Sequence, residues 1–382
     1  MSKTVLKNGL VFISDNGFAK TSLIIEYGRI SSFSDSYDED TVIIDCENSI
    51  IIPGLTDVHL HGCSGYDICD ADRTSLEKIC EFELCHGITT ICPTTMTLPF
   101  AQLANIVTVS ADSQRNTGKT DKAEIVGLNL EGPFISPERC GAQKSEYAEL
   151  PSPDKLKKLN QLSNDLIKLV TIAPELDGAA ECIKACKDFM HFSLGHTDCS
   201  YDEALSAFKA GADHVTHLFN AMPQFHHRDT GLIGAAADTE DCYVELIADG
   251  VHVSASAVRA AFKLFGDDRI VLISDSMEAT GMPDGEYALG GNRVYKHGNK
   301  AVMADGTLAG SVSTLYDCFL SAVSMGVPLE SAIKACTINP CRSIGIDDSF
   351  GSIEVGKRAD ILILNKSDLS IKQILKSEKA EP

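Results

Sequence analysis

An apolar run that ends abruptly in two histidines, one residue apart, constrains this chain most: Ile51-Ile52-Pro53-Gly54-Leu55-Thr56-Asp57-Val58-His59-Leu60-His61-Gly62. In a β-strand, side chains two apart point to the same face, so His59 and His61 present both imidazoles together. Paired imidazoles at that spacing suit a metal ion. Polar groups at the C-terminal end of a buried strand also occupy the position where parallel α/β barrels keep their catalytic residues. Taken alone, the pair is equally a loop with two solvated histidines, and the downstream sequence has to decide.

Residues 51–57 are the first of eight strand-like apolar runs; the others are 88–92, 125–130, 169–172, 190–194, 214–218, 243–248 and 270–274. Helices are expected between several of them, at 74–85, 152–162, 178–189, 201–210 and 255–265. Repeated strand–helix alternation predicts an α/β fold, a closed (β/α)8 TIM-like barrel, with an open doubly wound sheet as the competing arrangement. A chain of 382 residues has room for a barrel and an appendage. Short β-rich runs at 11–14, 22–31 and 41–45 are separated by turn residues, and a turn–glycine–strand pattern returns at 351–364. Both termini are therefore expected to form a small β-sandwich domain, 1–50 plus 350–382, beside a barrel domain at 51–349.

The ends of those runs carry the chemistry. The third stops at Asn129-Leu130-Glu131-Gly132-Pro133, the fifth at Gly195-His196, the sixth at Thr216-His217 and the eighth at Ser274-Asp275. Each residue has an ordinary reading by itself: Glu131 can cap a helix, His196 or His217 can be a hydrogen-bonded core histidine, and Asp275 can open a turn. In a barrel all of them, with His59 and His61, converge on one rim. Imidazoles mixed with carboxylates suit zinc, iron or a similar divalent ion.

Composition narrows the ligand and the compartment. A formal charge of -21 opposes the long-range attraction that nucleic acid or an anionic membrane requires. An anionic ligand must then meet local positive groups, and Phe225-His226-His227-Arg228-Asp229 is such an island, with a guanidinium suited to a phosphate dianion. With 44% apolar residues and a mean hydropathy of +0.00, no segment is apolar for long enough to span a bilayer. The first nine residues lack the apolar stretch of a secretory signal, so a cytoplasmic protein is expected. Fourteen cysteines are scattered without a Cys-x-x-Cys pair and are expected to be reduced core thiols, Cys63 among them.

Taken together, these segments resemble the amidohydrolase superfamily and, within it, the N-acetylglucosamine-6-phosphate deacetylases. The likeness rests on Pro-Gly-x-x-Asp-x-His-x-His-Gly at 53–62, Glu-Gly-Pro-Phe at 131–134, Gly-His-Thr at 195–197 and His-Leu-Phe-Asn-Ala-Met-Pro at 217–223. It continues through Ala-Asp-Gly-Val-His at 248–252, Ser-Asp-Ser-Met at 274–277, Gly-Thr-Leu-Ala-Gly-Ser at 306–311 and Thr-Ile-Asn-Pro at 337–340. The resemblance implies hydrolysis of a linear amide: removal of acetate from N-acetyl-D-glucosamine 6-phosphate. It assigns the main metal to Glu131, His196 and His217, and allows a second ion on His59 and His61 with Glu131 bridging. No lysine stands at the end of the fourth run to serve as a bridge instead.

By the same resemblance, Asp275 is general base and then general acid. His252 stabilises the oxyanion or binds a sugar hydroxyl or the phosphate; an ordinary loop histidine is the other reading. Asn220, Ala221 and Arg228 take the phosphate, with Arg228 acting in its own site or a neighbouring subunit's. Ala142, Gln143, Leu308, Ala309, Gly310 and Ser311 match the sugar-contacting loops, although some relatives have histidine where Gln143 stands. A homodimer is implied, with no nucleic-acid or membrane partner. The galactosamine epimer as substrate stays open, as do the metal's identity and number and a cell-wall-recycling or catabolic role. A cyclic-amide hydrolase is disfavoured by the Glu-Gly-Pro and 220–228 segments. A non-catalytic scaffold or a metal-responsive binding protein would not need the full set of ligands together with Asp275.

Overall fold

The computed structural model describes residues 3–14, 17–38 and 41–378. Eight parallel strands run in chain order: β1 (Leu55–Leu60), β2 (Ile88–Thr95), β3 (Leu128–Glu131), β4 (Ile167–Ile172), β5 (His191–Leu194), β6 (His214–Val215), β7 (Tyr243–Ile247) and β8 (Ile270–Ile273). Each pairs with the next in parallel register, from β1 against β2 to β7 against β8. Backbone bonds from Asp275 N to the His59 carbonyl (2.9 Å) and from His61 N to the Ser276 carbonyl (2.8 Å) bring the last strand's end back to the first. That seam makes a barrel of what could have been an open sheet.

The strands are buried on both faces, as parallel strands under helices are, which is why they read as unbroken apolar runs. Hydroxyls satisfy one another inside: Thr56 meets Thr90 at 2.7 Å, and Thr216 meets Ser193 at 2.6 Å and Thr171 at 3.0 Å. Outside, the helices Arg73–Cys85, Pro153–Leu162, Tyr201–Ala210 and Ala255–Phe265 form where expected, three of them capped by the side chains of Asp72, Ser152 and Ser200. The helix Phe100–Gln114 and the antiparallel strands Gly285–Leu289, Asn292–His297 and Lys300–Val302 were not expected.

The terminal segments form two further sheets. One runs Ile371–Leu375, Ile361–Asn365, Ser49–Pro53, Leu10–Ile13, Gly17–Lys20. The other runs Arg29–Phe33, Leu23–Glu26, Thr4–Lys7, Val42–Asp45. Leu6, Val11, Leu23, Ile30, Ile51, Ile361 and Ile363 share one apolar core with them.

Four expected strands differ in detail. The run 51–57 divides at Gly54: Ile51 and Ile52 belong to a terminal sheet, and the barrel strand starts at Leu55. A Cβ on Gly54 would sit 2.3 Å from Thr89 Oγ1, so only glycine lets the chain cross there. The run 22–31 is a hairpin turning at Tyr27 and Gly28, both at positive φ, as a two-residue turn between twisted strands requires. The run 125–130 is interrupted between Ile125 and Leu128, and only His214–Val215 of 214–218 keeps strand pairing.

Candidate active site

At the C-terminal ends of the strands the chain leaves regular geometry where the expected residues lie. His196 (φ 47°), His217 (φ 28°) and Asp275 (φ 49°) all adopt left-handed backbone conformations. For non-glycine residues that costs roughly 1–3 kcal/mol each, and such strain persists only where the surroundings impose it. Here it directs three side chains toward the barrel axis. Gly62, after the His-x-His pair, has the Tyr66 carbonyl only 2.1 Å from where a Cβ would be, so the following short hairpin packs directly against it.

All six expected metal and acid–base residues come together. Glu131 Oε1 lies 3.0 Å from His196 Nε2 and 3.0 Å from His217 Nε2, and the two Nε2 atoms are 3.1 Å apart. His61 Nε2 lies 3.3 Å from Glu131 Oε2 and 3.2 Å from Asp275 Oδ1, and His59 Nε2 lies 3.5 Å from Glu131 Oε1. Two ligand groups result, Glu131 with His196 and His217, and His59 with His61 and Asp275. A third cluster, His191, Asp213 and His214, sits at the starts of β5 and β6, the opposite end of the barrel.

Hydrogen-bond partners fix the tautomers. A carbonyl only accepts, so the Nδ1 of His61, facing the Thr94 carbonyl at 3.1 Å, and that of His196, facing the Arg139 carbonyl at 2.8 Å, carry the protons. His59 Nδ1 faces the buried Glu245 carboxylate at 2.9 Å. Their Nε2 lone pairs therefore converge on carboxylates and on one another, an arrangement that requires positive charge at its centre. The electrostatics show the same demand: burial opposes a charge on His61, yet the Asp275 and Glu131 carboxylates beside it lift its pKa to about 9, so a positive charge at its Nε2, a proton or a metal ion, is favoured. Burial also resists ionisation of Glu131, but the imidazoles of His196 and His59 hold its carboxyl well below the usual carboxylate range. Four imidazoles, three of them oriented through Nδ1, and two carboxylates are a donor set for a divalent metal ion.

The match to known proteins agrees with this geometry. Residues 50–380 match the model of the amidohydrolase family. This chain belongs to the amidohydrolase family. It is 35% identical over 373 residues, 96% of its own length and 94% of the relative's, to N-acetylglucosamine-6-phosphate deacetylase of Bacillus subtilis (strain 168). It is 34% identical to N-acetylgalactosamine-6-phosphate deacetylase of Escherichia coli O157:H7, covering 85% of this chain and 86% of that one. A solved structure of a variant N-acetyl-D-glucosamine-6-phosphate deacetylase from Mycobacterium smegmatis, in complex with N-acetyl-D-glucosamine-6-phosphate, superposes with a TM-score of 0.91 at 30% identity and covers 99% of each chain. Among the described residues of this amidohydrolase, no helix is long and apolar enough to cross a membrane.

A cavity of about 250 Å³ opens over the candidate ligands of this amidohydrolase. Of the expected substrate residues, Ala142, Gln143, Asn220, Ala221, His252, Leu308 and Gly310 line it. Leu289, from the inserted antiparallel strands, adds an apolar wall that the sequence reading missed. Ala309 and Ser311 are buried outside the lining; Ser311 Oγ donates to the Ser274 carbonyl at 2.6 Å and its N–H to the Asp275 carbonyl at 2.7 Å. Arg228 is exposed outside the lining, its Nη1 2.8 Å from His227 Nε2. Gln143 is occupied on both sides: its Nε2 donates to Glu131 Oε2 at 2.5 Å, and its Oε1 accepts the Thr97 N–H at 2.6 Å. Cys63 is buried with Sγ 4.0 Å from the Ile79 carbonyl.

His252 is held by Asp249, whose Oδ2 lies 2.8 Å from Nδ1 while Oδ1 accepts the N–H groups of Val251 and His252 at 2.8 Å. Burial disfavours the imidazolium, but the hydrogen bond and charge of Asp249 raise the His252 pKa overall, and the ring lines the cavity. The sequence reading also missed Glu245. A lone carboxylate within the otherwise apolar run Tyr-Val-Glu-Leu-Ile was the available signal.

Proposed function

We propose that this amidohydrolase removes the acetyl group from N-acetyl-D-glucosamine 6-phosphate, giving D-glucosamine 6-phosphate and acetate. The observation that carries the reading is the convergence of Glu131, His196 and His217 beside His59, His61 and Asp275 at the floor of a sugar-sized cavity. Relatives named for this reaction, matched over nearly the whole chain, support it.

Two positions for zinc or iron are assigned, the main one at Glu131, His196 and His217, the other at His59 and His61 with Glu131 shared. A bound divalent ion supplies a Lewis acid, bringing the pKa of water from about 15.7 toward about 7 and polarising the amide carbonyl. Asp275 accepts the proton of the attacking water. Its Oδ1 lies 3.2 Å from His61 Nε2 and 3.7 Å from His59 Nε2, at the edge of the second ion position where that water would be held. The same carboxyl returns the proton to the sugar nitrogen, because an amine leaves far better when protonated. His252 donates to the oxygen that becomes negative. Asn220, the Ala221 backbone and Arg228 take the phosphate, the last from its exposed loop in its own site or a neighbouring one. The enzyme is assigned to the cytoplasm as a homodimer.

The test is acetate release from N-acetyl-D-glucosamine 6-phosphate, its galactosamine epimer and the unphosphorylated sugar. Chelator-sensitive turnover of the phosphorylated glucosamine above the other two is expected. Equal turnover of the unphosphorylated sugar removes the phosphate role of Arg228, and preference for the epimer moves the assignment to the galactosamine substrate.

A further inference from the structure

We infer that Glu245 is a positioning residue that fixes His59 as a metal ligand and so governs occupancy of the second ion position. The inference rests on the two-position reading above. Glu245 stands in the middle of β7, fully buried, inside the barrel. A carboxylate there costs several kcal/mol unless nearby charge or hydrogen bonds offset it. Its Oε2 lies 2.9 Å from His59 Nδ1 and accepts the backbone N–H of His217 at 3.3 Å, while Oε1 has no hydrogen-bond partner among the described residues. One oxygen thus serves both ligand groups, but unequally: it holds a ligand ring in one and only backbone in the other.

The four imidazoles are not supported alike. His61 and His196 are oriented by carbonyls, and His217 Nδ1 has no hydrogen-bond partner among the described residues. Only His59 is backed by a carboxylate. That partner fixes the proton on Nδ1, leaves Nε2 as a lone pair beside Glu131 Oε1 and Asp275 Oδ1 at 3.5 and 3.7 Å, and makes the ring a stronger donor. Losing such a partner typically weakens metal affinity 10–100-fold. The effect should fall on the His59 position and spare the other.

The experiment is reloading of demetallated enzyme with cobalt(II), followed by its visible absorption and by chelator competition, for wild type, His59→Asn, Glu245→Gln and Glu245→Asp. Wild type is expected to take two equivalents and His59→Asn one. Glu245→Gln should keep the tight equivalent unchanged and bind the second about 10–100-fold more weakly, with an altered spectrum. Glu245→Asp, which retains the charge, should hold it more tightly than Glu245→Gln. Two equivalents at wild-type affinity in Glu245→Gln, with His59→Asn reduced to one, overturn the role of Glu245 alone. A wild type taking a single equivalent that His59→Asn retains overturns the two-position reading and this inference with it.

Discussion

Asp275 serves the site twice, as the carboxylate facing His61 and as the backbone group that closes the barrel on His59. Its side chain can be tested separately from its backbone. Asp275→Asn keeps the shape and removes the proposed base, and acetate release should fall about 10²–10⁴-fold; retention within tenfold of wild type counts against that role. Gln143→Ala withdraws the acceptor from the Thr97 N–H and the donor from Glu131, so thermal or urea unfolding should register a loss of about 1–3 kcal/mol. Single residues at strand ends were legible because each interrupts an apolar run with a ligand-type side chain. Glu245 was not read as part of the site, because a mid-strand charge announces burial without naming its partner. Ser311 and Arg228 fit motifs, yet motif order says nothing about which side chains turn toward the cavity.

The helix Arg73–Cys85 carries a buried carboxyl of its own, Glu83. Glu83 lies fully buried beside the Cys63 thiol, and burial, reinforced by the charge of Asp57, pushes its pKa up to about 8. The unfolded value is about 4.5, so the folded state holds the proton more tightly. Its contribution is full below about pH 4.5, is lost as pH rises toward 8, and levels off above that. Glu83→Gln should therefore gain stability relative to wild type between pH 5 and pH 8, by up to about 1.4 kcal/mol per pH unit. Urea unfolding of both proteins at the two pH values checks this; a constant difference means Glu83 does not titrate there. Among whole elements, the eight strands were legible from apolar runs, and helices such as Tyr201–Ala210 from the segments between them. Gly54 shows why boundaries were less so: an apolar run continues across it while the chain passes from a terminal sheet into the barrel.

Across the molecule, the C-terminal segment is tied to the end of the barrel opposite the site. The Arg358 guanidinium reaches Glu124 Oε2 and the Ser377 carbonyl, both at 2.6 Å, and Lys376 meets Asp360 at 2.5 Å. Taking the guanidinium from a buried ion pair typically costs about 3–5 kcal/mol. Arg358→Leu should thus lower the unfolding midpoint while leaving turnover per metal-loaded site unchanged; a matching fall in turnover would show that this linkage reaches the active site. The broad plan of barrel and terminal β-structure was readable because turn residues and strand runs recur at both ends. The strands after β8, which bring Leu289 to the cavity, were not, since charged and polar residues break up any apolar run there. The most direct measurement is titration of demetallated enzyme with zinc(II) while following acetate release from N-acetyl-D-glucosamine 6-phosphate. Turnover that rises with bound metal and is absent in Asp275→Asn is expected. Metal-independent turnover, or none in fully loaded wild type, contradicts a metal-dependent deacetylase.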